Sequence, residues 1–289
     1  MARLLFVHAH PDDETLANGI AIAHHVRAGD EVHVLTATLG EEGEVIPAEL
    51  AHLELPAGQL RPDDVADPLA DVRRAELACA MKTLGVTSSQ LLPGGWRDSG
   101  MAGSPASRHP RAFAAAPVEV VGAAVAGVVR ELAPDVVVTY DRHGGYGHPD
   151  HIQVHRAVVS AVGSLPAQAR PRLFATLIPR SWAQEDRSWL QAHVPSDSEV
   201  QVPGDGAAYA PSVVPDEQVT HEVLDPSVAG VQADALRCHR TQVSVHDGFY
   251  ALSNAIAARL SGREGFAEID SATGELIALQ GSSRRGLLG

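Results

Sequence analysis

Histidine and carboxylate side chains cluster twice in this chain: His8-Ala9-His10-Pro11-Asp12-Asp13-Glu14 near the start, and His148-Pro149-Asp150-His151 at its middle. Imidazole nitrogens and carboxylate oxygens around a position left open are the ligand set of a catalytic zinc. A metal held this way acidifies a bound water and polarises a carbonyl. A lone His or Asp in a loop is ordinarily a cap, a turn residue or a solvated side chain. Two such clusters, each shortly after an apolar run, point instead to a metal hydrolase. His151 and His155 add the one-turn helical spacing at which two imidazoles share a metal. On spacing alone, His155 ranks level with His10 as a ligand.

The elements that must position these residues are legible in the first half. Leu4-Leu5-Phe6-Val7 and Val136-Val137-Val138-Thr139-Tyr140 read as buried parallel strands. Loops leaving the carboxyl ends of neighbouring strands in an open α/β sheet share one crevice, so the two clusters can converge there. Helices are expected over 15–28, 71–84, 117–132 and 149–162, and further strands over 31–38 and 90–92. Residues 45–70, rich in Pro and Asp, read as a long excursion. The alternation predicts an α/β fold: a Rossmann-like, mostly parallel sheet with helices on both faces, plus a smaller, less regular C-terminal part. No Gly-x-Gly-x-x-Gly follows the first strand, so the sheet is no argument for a dinucleotide. Residues 1–165 form the expected metal-binding core, and 166–289 pack on it within one continuous domain and complete the substrate pocket. Beyond 165 the pattern predicts a strand over 173–178, loop over 184–217, and helices over 226–240 and 248–260. Residues 282–286 are expected to fray.

At 289 residues and 45% hydrophobic content, the chain can bury a full α/β core. Its net charge of -14 argues against nucleic acid and favours a neutral or cationic small substrate. Two cysteines far apart, Cys79 and Cys238, make neither a disulfide framework nor a Cys-rich zinc site. Cys79 is expected simply to pack on an apolar helix face. The start has no basic leader or cleavage site, and no apolar run is long enough to span a bilayer. The cytoplasm is the expected compartment, and the oligomeric state is open.

These residues resemble the PIG-L/LmbE-like zinc deacetylases, whose signature is an apolar strand running into His-Pro-Asp-Asp with a later His-Pro-Asp-His. The runs Thr38 to Val45, Trp96 to Gly103, Gly144 to His151, and Thr241-Gln242 are similar to the branch of that family in the mycothiol pathway. The likeness is strong to about residue 165 and patchy to about 260. It implies removal of acetate from N-acetylglucosaminyl-inositol (GlcNAc-Ins), with one Zn²⁺ per chain held by His10, Asp13 and His151; Fe²⁺ suits the same donors. Two neutral imidazoles and one carboxylate would leave the ion a net charge of +1. Asp12 would be the general base. Tyr146 and a protonated His148 would steady the oxyanion, and Asp150 would orient His148 or a ligand. His8 would support the site without ligating, and His155 would be a surface or supporting residue. Arg73 and Asp98, with Glu44 and Gln242, would grip the amino-sugar inositol substrate. The competing readings are a mycothiol S-conjugate amidase, a deacetylase of another N-acetyl sugar, and a metal-dependent sugar-binding protein without turnover.

Overall fold

In a computed structural model of the chain, which describes residues 1–56, 58–62, 65–278 and 283–288, the run Leu4 to Val7 is fully buried within strand β1 (Arg3–His8). Both faces of β1 are apolar because both are covered. Leu4 and Phe6 face one helical layer, Leu5 and Val7 the other. Strand β1 pairs in parallel with β2 (Glu31–Thr36) and β4 (Val136–Tyr140). β3 (Ser88–Leu91) adds in parallel to β2, and β5 (Arg172–Pro179) to β4. Helices α1 (Asp13–Ala28), α2 (Pro68–Leu84), α3 (Val118–Leu132) and α4 (Pro149–Gly163) connect them. Ile20, Ile22, Leu77, Met81 and Leu84 of α1 and α2 cover one face. Val121, Val125, Val129, Val154 and Val158 of α3 and α4 cover the other.

The second half supplies α5 (Arg180–His193), β6 (Val213–Val214), β7 (His221–Leu224), α6 (Ala229–Cys238), β8 (Ser244–Val245), β9 (Phe249–Ala251), β10 (Ala257–Arg259), β11 (Arg263–Ile269) and β12 (Arg284–Arg285). The main sheet runs β12-β7-β11-β5-β4-β1-β2-β3, with β6 beside β5; β8, β9 and β10 form a small second sheet. Strand β11 is antiparallel to both neighbours, so the C-terminal part extends the same mixed sheet. Because β1 lies between β2 and β4, the order reverses there. The loops leaving β1 and β4 therefore open onto one crevice.

Four expectations are corrected. Residues 180–193, partly assigned to loop, form α5; its sequence is mostly polar and buries only Arg187 and Leu190, which hides its periodicity. Residues 248–260, read as a helix, form the hairpin β9–β10 instead, turned at Ala255, whose φ is +54°. Cys79 is exposed rather than packed, and it is disulfide-bonded to Cys238, tying α2 to the end of α6. The stretch 283–286 is not frayed: β12 pairs with β7 and delivers a fully buried Leu287, while Ser282 lies outside the described residues. Among the described residues, no helix is long and apolar enough to cross a membrane.

Candidate active site

Strand β1 ends at His8, and the chain then turns sharply through Pro11 and Asp12 into α1. Helix α4 starts on the loop after β4, with His148 as its N-cap and Pro149 in the first turn. These two ends meet. His10 Nδ1 lies 3.2 Å from Asp13 Oδ2, Asp13 Oδ2 3.3 Å from His151 Nε2, and His151 Nε2 3.4 Å from His10 Nδ1. Donors bonded to one tetrahedral metal at about 2.0–2.1 Å stand about 3.3–3.4 Å apart, so the triangle fits one face of such a site. His10 also shares two wider groupings, with His148 and His151 and with Asp98 and Asp150, each with ligand atoms within 4.8 Å of one another.

His10 has its other nitrogen, Nε2, 3.2 Å from Asp150 Oδ2 and 3.5 Å from Asp98 Oδ1. A carboxylate behind a histidine fixes its tautomer and turns the opposite nitrogen toward a metal. The Asp150 carboxylate thus stands behind His10, and its Oδ2 also accepts the Ser99 N–H at 2.9 Å. Burial alone would keep the His10 ring neutral, yet the carboxylates of Asp98, Asp13 and Asp150 pull its pKa well above the usual imidazole value. That excess of negative charge is the condition a divalent cation relieves.

His148 departs from expectation. Its Nδ1 accepts the Asp150 N–H at 3.2 Å, which leaves Nε2 as the only nitrogen carrying a proton. Burial, reinforced by His10, pushes its pKa down to about 3. The ring is neutral, and it offers one N–H rather than a positive charge. Tyr146 stands at the mouth, 58% exposed, its ring centroid 5.2 Å from that of His151. His8 is fully buried under the site, edge-on to Tyr140. His155 is buried too, with Nδ1 2.9 Å from the Tyr140 carbonyl and no place in either grouping.

Asp12 is almost enclosed. Burial pushes its carboxyl up to about 7, against the pull of the Arg73 guanidinium and with the push of Asp13. Arg73 and Asp98, expected on the sugar, are spent on the protein. Arg73 is 3% exposed and donates to the Gly40 and Pro11 carbonyls and, at 3.1 Å, to Asp12 Oδ2. Gly40 has φ +65°, and a Cβ there would fall 1.8 Å from Arg73 Nη1, so only glycine lets the guanidinium through. Asp98 accepts the Gly100 N–H at 2.8 Å and the Glu42 N–H at 3.3 Å. Burial alone would raise it, but the His10 ring and the Gly100 N–H hold its carboxyl far below the usual range. Glu44 is exposed on the rim of a neighbouring cavity of about 600 Å³ that Ser244 and His246 also line. Gln242 is half-buried, its Nε2 3.2 Å from Thr241 Oγ1.

Three contributors escaped the sequence reading. Tyr140 stacks on His151, with centroids 4.2 Å apart, and its hydroxyl accepts the Ala9 N–H at 2.9 Å. Its place at the end of β4 was the available signal. Glu41 accepts the Asp98 N–H at 3.0 Å. His239 lies behind Glu14, Nε2 to Oε1 3.1 Å; only tertiary packing of α6 brings it there.

The profile of the family described as PIG-L, GlcNAc-PI de-N-acetylase, matches residues 5–162. The chain is 40% identical to 1D-myo-inositol 2-acetamido-2-deoxy-alpha-D-glucopyranoside deacetylase of Thermomonospora curvata, over 96% of this chain and 93% of the relative. Against the protein of the same name from Rhodococcus jostii it is 43% identical, over 94% and 93%. Among solved structures, N,N'-diacetylchitobiose deacetylase from Pyrococcus horikoshii shares the fold, with TM-score 0.50 at 20% identity, covering 83% of this chain and 70% of that one.

Proposed function

The chain belongs to the PIG-L, GlcNAc-PI de-N-acetylase, family, and from that premise we propose that it hydrolyses the N-acetyl group of GlcNAc-Ins, giving acetate and glucosaminyl-inositol. The observation that carries this reading is identity of 40% or more, over nearly the whole of both chains, to relatives named for that reaction. The site geometry supports it. His10, Asp13 and His151 are the residues that would hold one Zn²⁺ per chain, with Fe²⁺ the alternative ion for the same donors. The metal supplies Lewis acidity, which polarises the acetamide carbonyl and lowers the pKa of a water.

The chain's own groups do the rest. Asp12 orients the attacking water and takes its proton as the new C–O bond forms; a carboxyl poised near 7 suits this task. The Nε2–H of neutral His148 donates to the developing oxyanion, and Tyr146 adds its hydroxyl from the mouth. Asp12 then returns the proton to the amide nitrogen as the C–N bond breaks, and acetate and the free amine leave. Asp150 fixes His10, and Asp98 and Glu41 brace that side. Arg73 holds Asp12, so its contribution to sugar binding is indirect. Glu44, on the rim of the open cavity, and Gln242 are the groups left to meet the inositol hydroxyls.

The test is a comparison of substrates. Purified protein loaded with Zn²⁺, or with Fe²⁺ without oxygen, is given GlcNAc-Ins, a mycothiol S-conjugate, or a simple N-acetyl sugar, and the primary amine released is measured. Amine should form fastest from GlcNAc-Ins, with kcat/KM at least about tenfold above the others. A conjugate cleaved equally well would make the chain an amidase. Turnover of the simple sugar alone would move it to another pathway.

A further inference from the structure

Asp12 is one of three non-glycine residues with positive φ among the described residues, at φ +103° and ψ -36°. A side chain held there is strained and stays only where its surroundings over-determine it. Two of those constraints are the Arg73 bonds to Pro11 and Asp12, and the Asp12 carbonyl that accepts the Thr15 and Leu16 N–H groups to open α1. The third is Glu14, whose Oε2 accepts the Asp12 N–H at 3.2 Å.

Glu14 has no exposure and cannot be steadied by solvent. Its Oε1 takes the Thr15 hydroxyl at 2.7 Å and His239 Nε2 at 3.1 Å. His239 is itself fully buried, one residue past the end of α6, and its Nδ1 has no partner among the described residues. Among the described residues the ring therefore has one hydrogen-bonding contact, and that contact is Glu14. Losing it would leave a buried carboxylate short of a donor and free to turn away from the Asp12 backbone.

We propose that His239 is a positioning residue for proton transfer: it fixes Glu14, and Glu14 fixes the strained backbone of Asp12, which aims the Asp12 carboxylate at the reacting water. The inference rests on Asp12 being the base. It requires only a donor at Nε2. Displacing a reacting group by an ångström costs on the order of 100-fold in rate, so the effect falls on kcat and not on substrate or metal binding.

The experiment measures kcat and KM for GlcNAc-Ins, bound metal by elemental analysis, and melting temperature in His239→Ala, His239→Gln and His239→Asn. Gln can place its amide nitrogen where Nε2 sits, whereas Asn places it near Nδ1. His239→Ala should lose about 10- to 100-fold in kcat, with KM within about twofold and one metal per chain retained. His239→Gln should recover to within about threefold of the parent and His239→Asn should not. Because Gln and Asn are both polar and close to His in size, their contrast decides the matter even where Ala fails to fold. In a Glu14→Ala background, His239→Ala should cost almost nothing more. Equal activity of the Gln and Asn variants, a raised KM with kcat intact, or fully additive losses would overturn the proposal. Turnover surviving in Asp12→Asn would overturn the base assignment instead, and an inactive parent would overturn the substrate, so the failures are told apart.

Discussion

Adjacent carboxylates at 12 and 13 are suited to different work because they face different neighbours. Asp13 meets the two imidazoles, whereas Asp12 meets Arg73 and is driven up to about 7 mainly by burial. A base works only when deprotonated, so kcat/KM should fall on the acid side of a pKa at or below about 7, the metal's charge moving it lower. Arg73 lowers that pKa. Replacing it in Arg73→Met should therefore shift the acid limb to higher pH, while Asp12→Asn should keep the metal and lose several orders of magnitude in kcat. A pH–rate profile unmoved in Arg73→Met would mean the limb belongs to another group. The two clusters that form the candidate site were legible because each is short-range, a few residues after a strand. The destinations of Arg73 and Asp98 were not, because their side chains are claimed by Gly40, Pro11, Gly100 and Glu42 only once the loops fold together. The protonation of His148 was missed for a similar reason, since its tautomer is set by the Asp150 N–H of the helix it caps.

At the scale of elements, α2 and α6 grip the turn at Asp12 from two sides. α2 supplies Arg73, and also Glu76, which accepts both the N–H and the hydroxyl of Thr241; His239 follows α6 directly. The bridge between Cys79 and Cys238 ties these same helices and spans 159 residues of sequence. A crosslink of that reach contributes about 2–4 kcal/mol, chiefly by restricting the unfolded chain, and a reducing cytoplasm would open it. Thermal unfolding with and without a phosphine reductant checks this. The parent should melt several degrees lower when reduced, matching Cys238→Ser, which should not respond to reductant. An unresponsive parent would show that the bridge does not form in solution. The parallel strands and helices α1 to α4 were readable because their apolar periodicity is strong. Helix α5 was not, since a surface helix with two buried residues carries little pattern, and the β9–β10 hairpin was hidden by alanines that favour helix locally. Nothing local announces that Leu287 ends buried against β7 and β11 strand residues such as Val223 and Phe266.

For the whole molecule, the decisive feature is the reversal of strand order at β1. It turns two distant stretches of sequence toward one crevice and lets the C-terminal strands extend the sheet without covering it. Four carboxylates, Asp12, Asp13, Asp98 and Asp150, are buried around the site. In the proposed mechanism one metal would be held by His10 Nδ1, Asp13 Oδ2 and His151 Nε2, with Asp12 free to move protons. Anomalous diffraction at the zinc edge from crystals of the metal-loaded protein tests it most directly. A single peak is expected about 2.0–2.2 Å from each of those three atoms. A peak lying instead between His10 Nε2, Asp98 and Asp150, or one that takes Asp12 as a ligand, would contradict it.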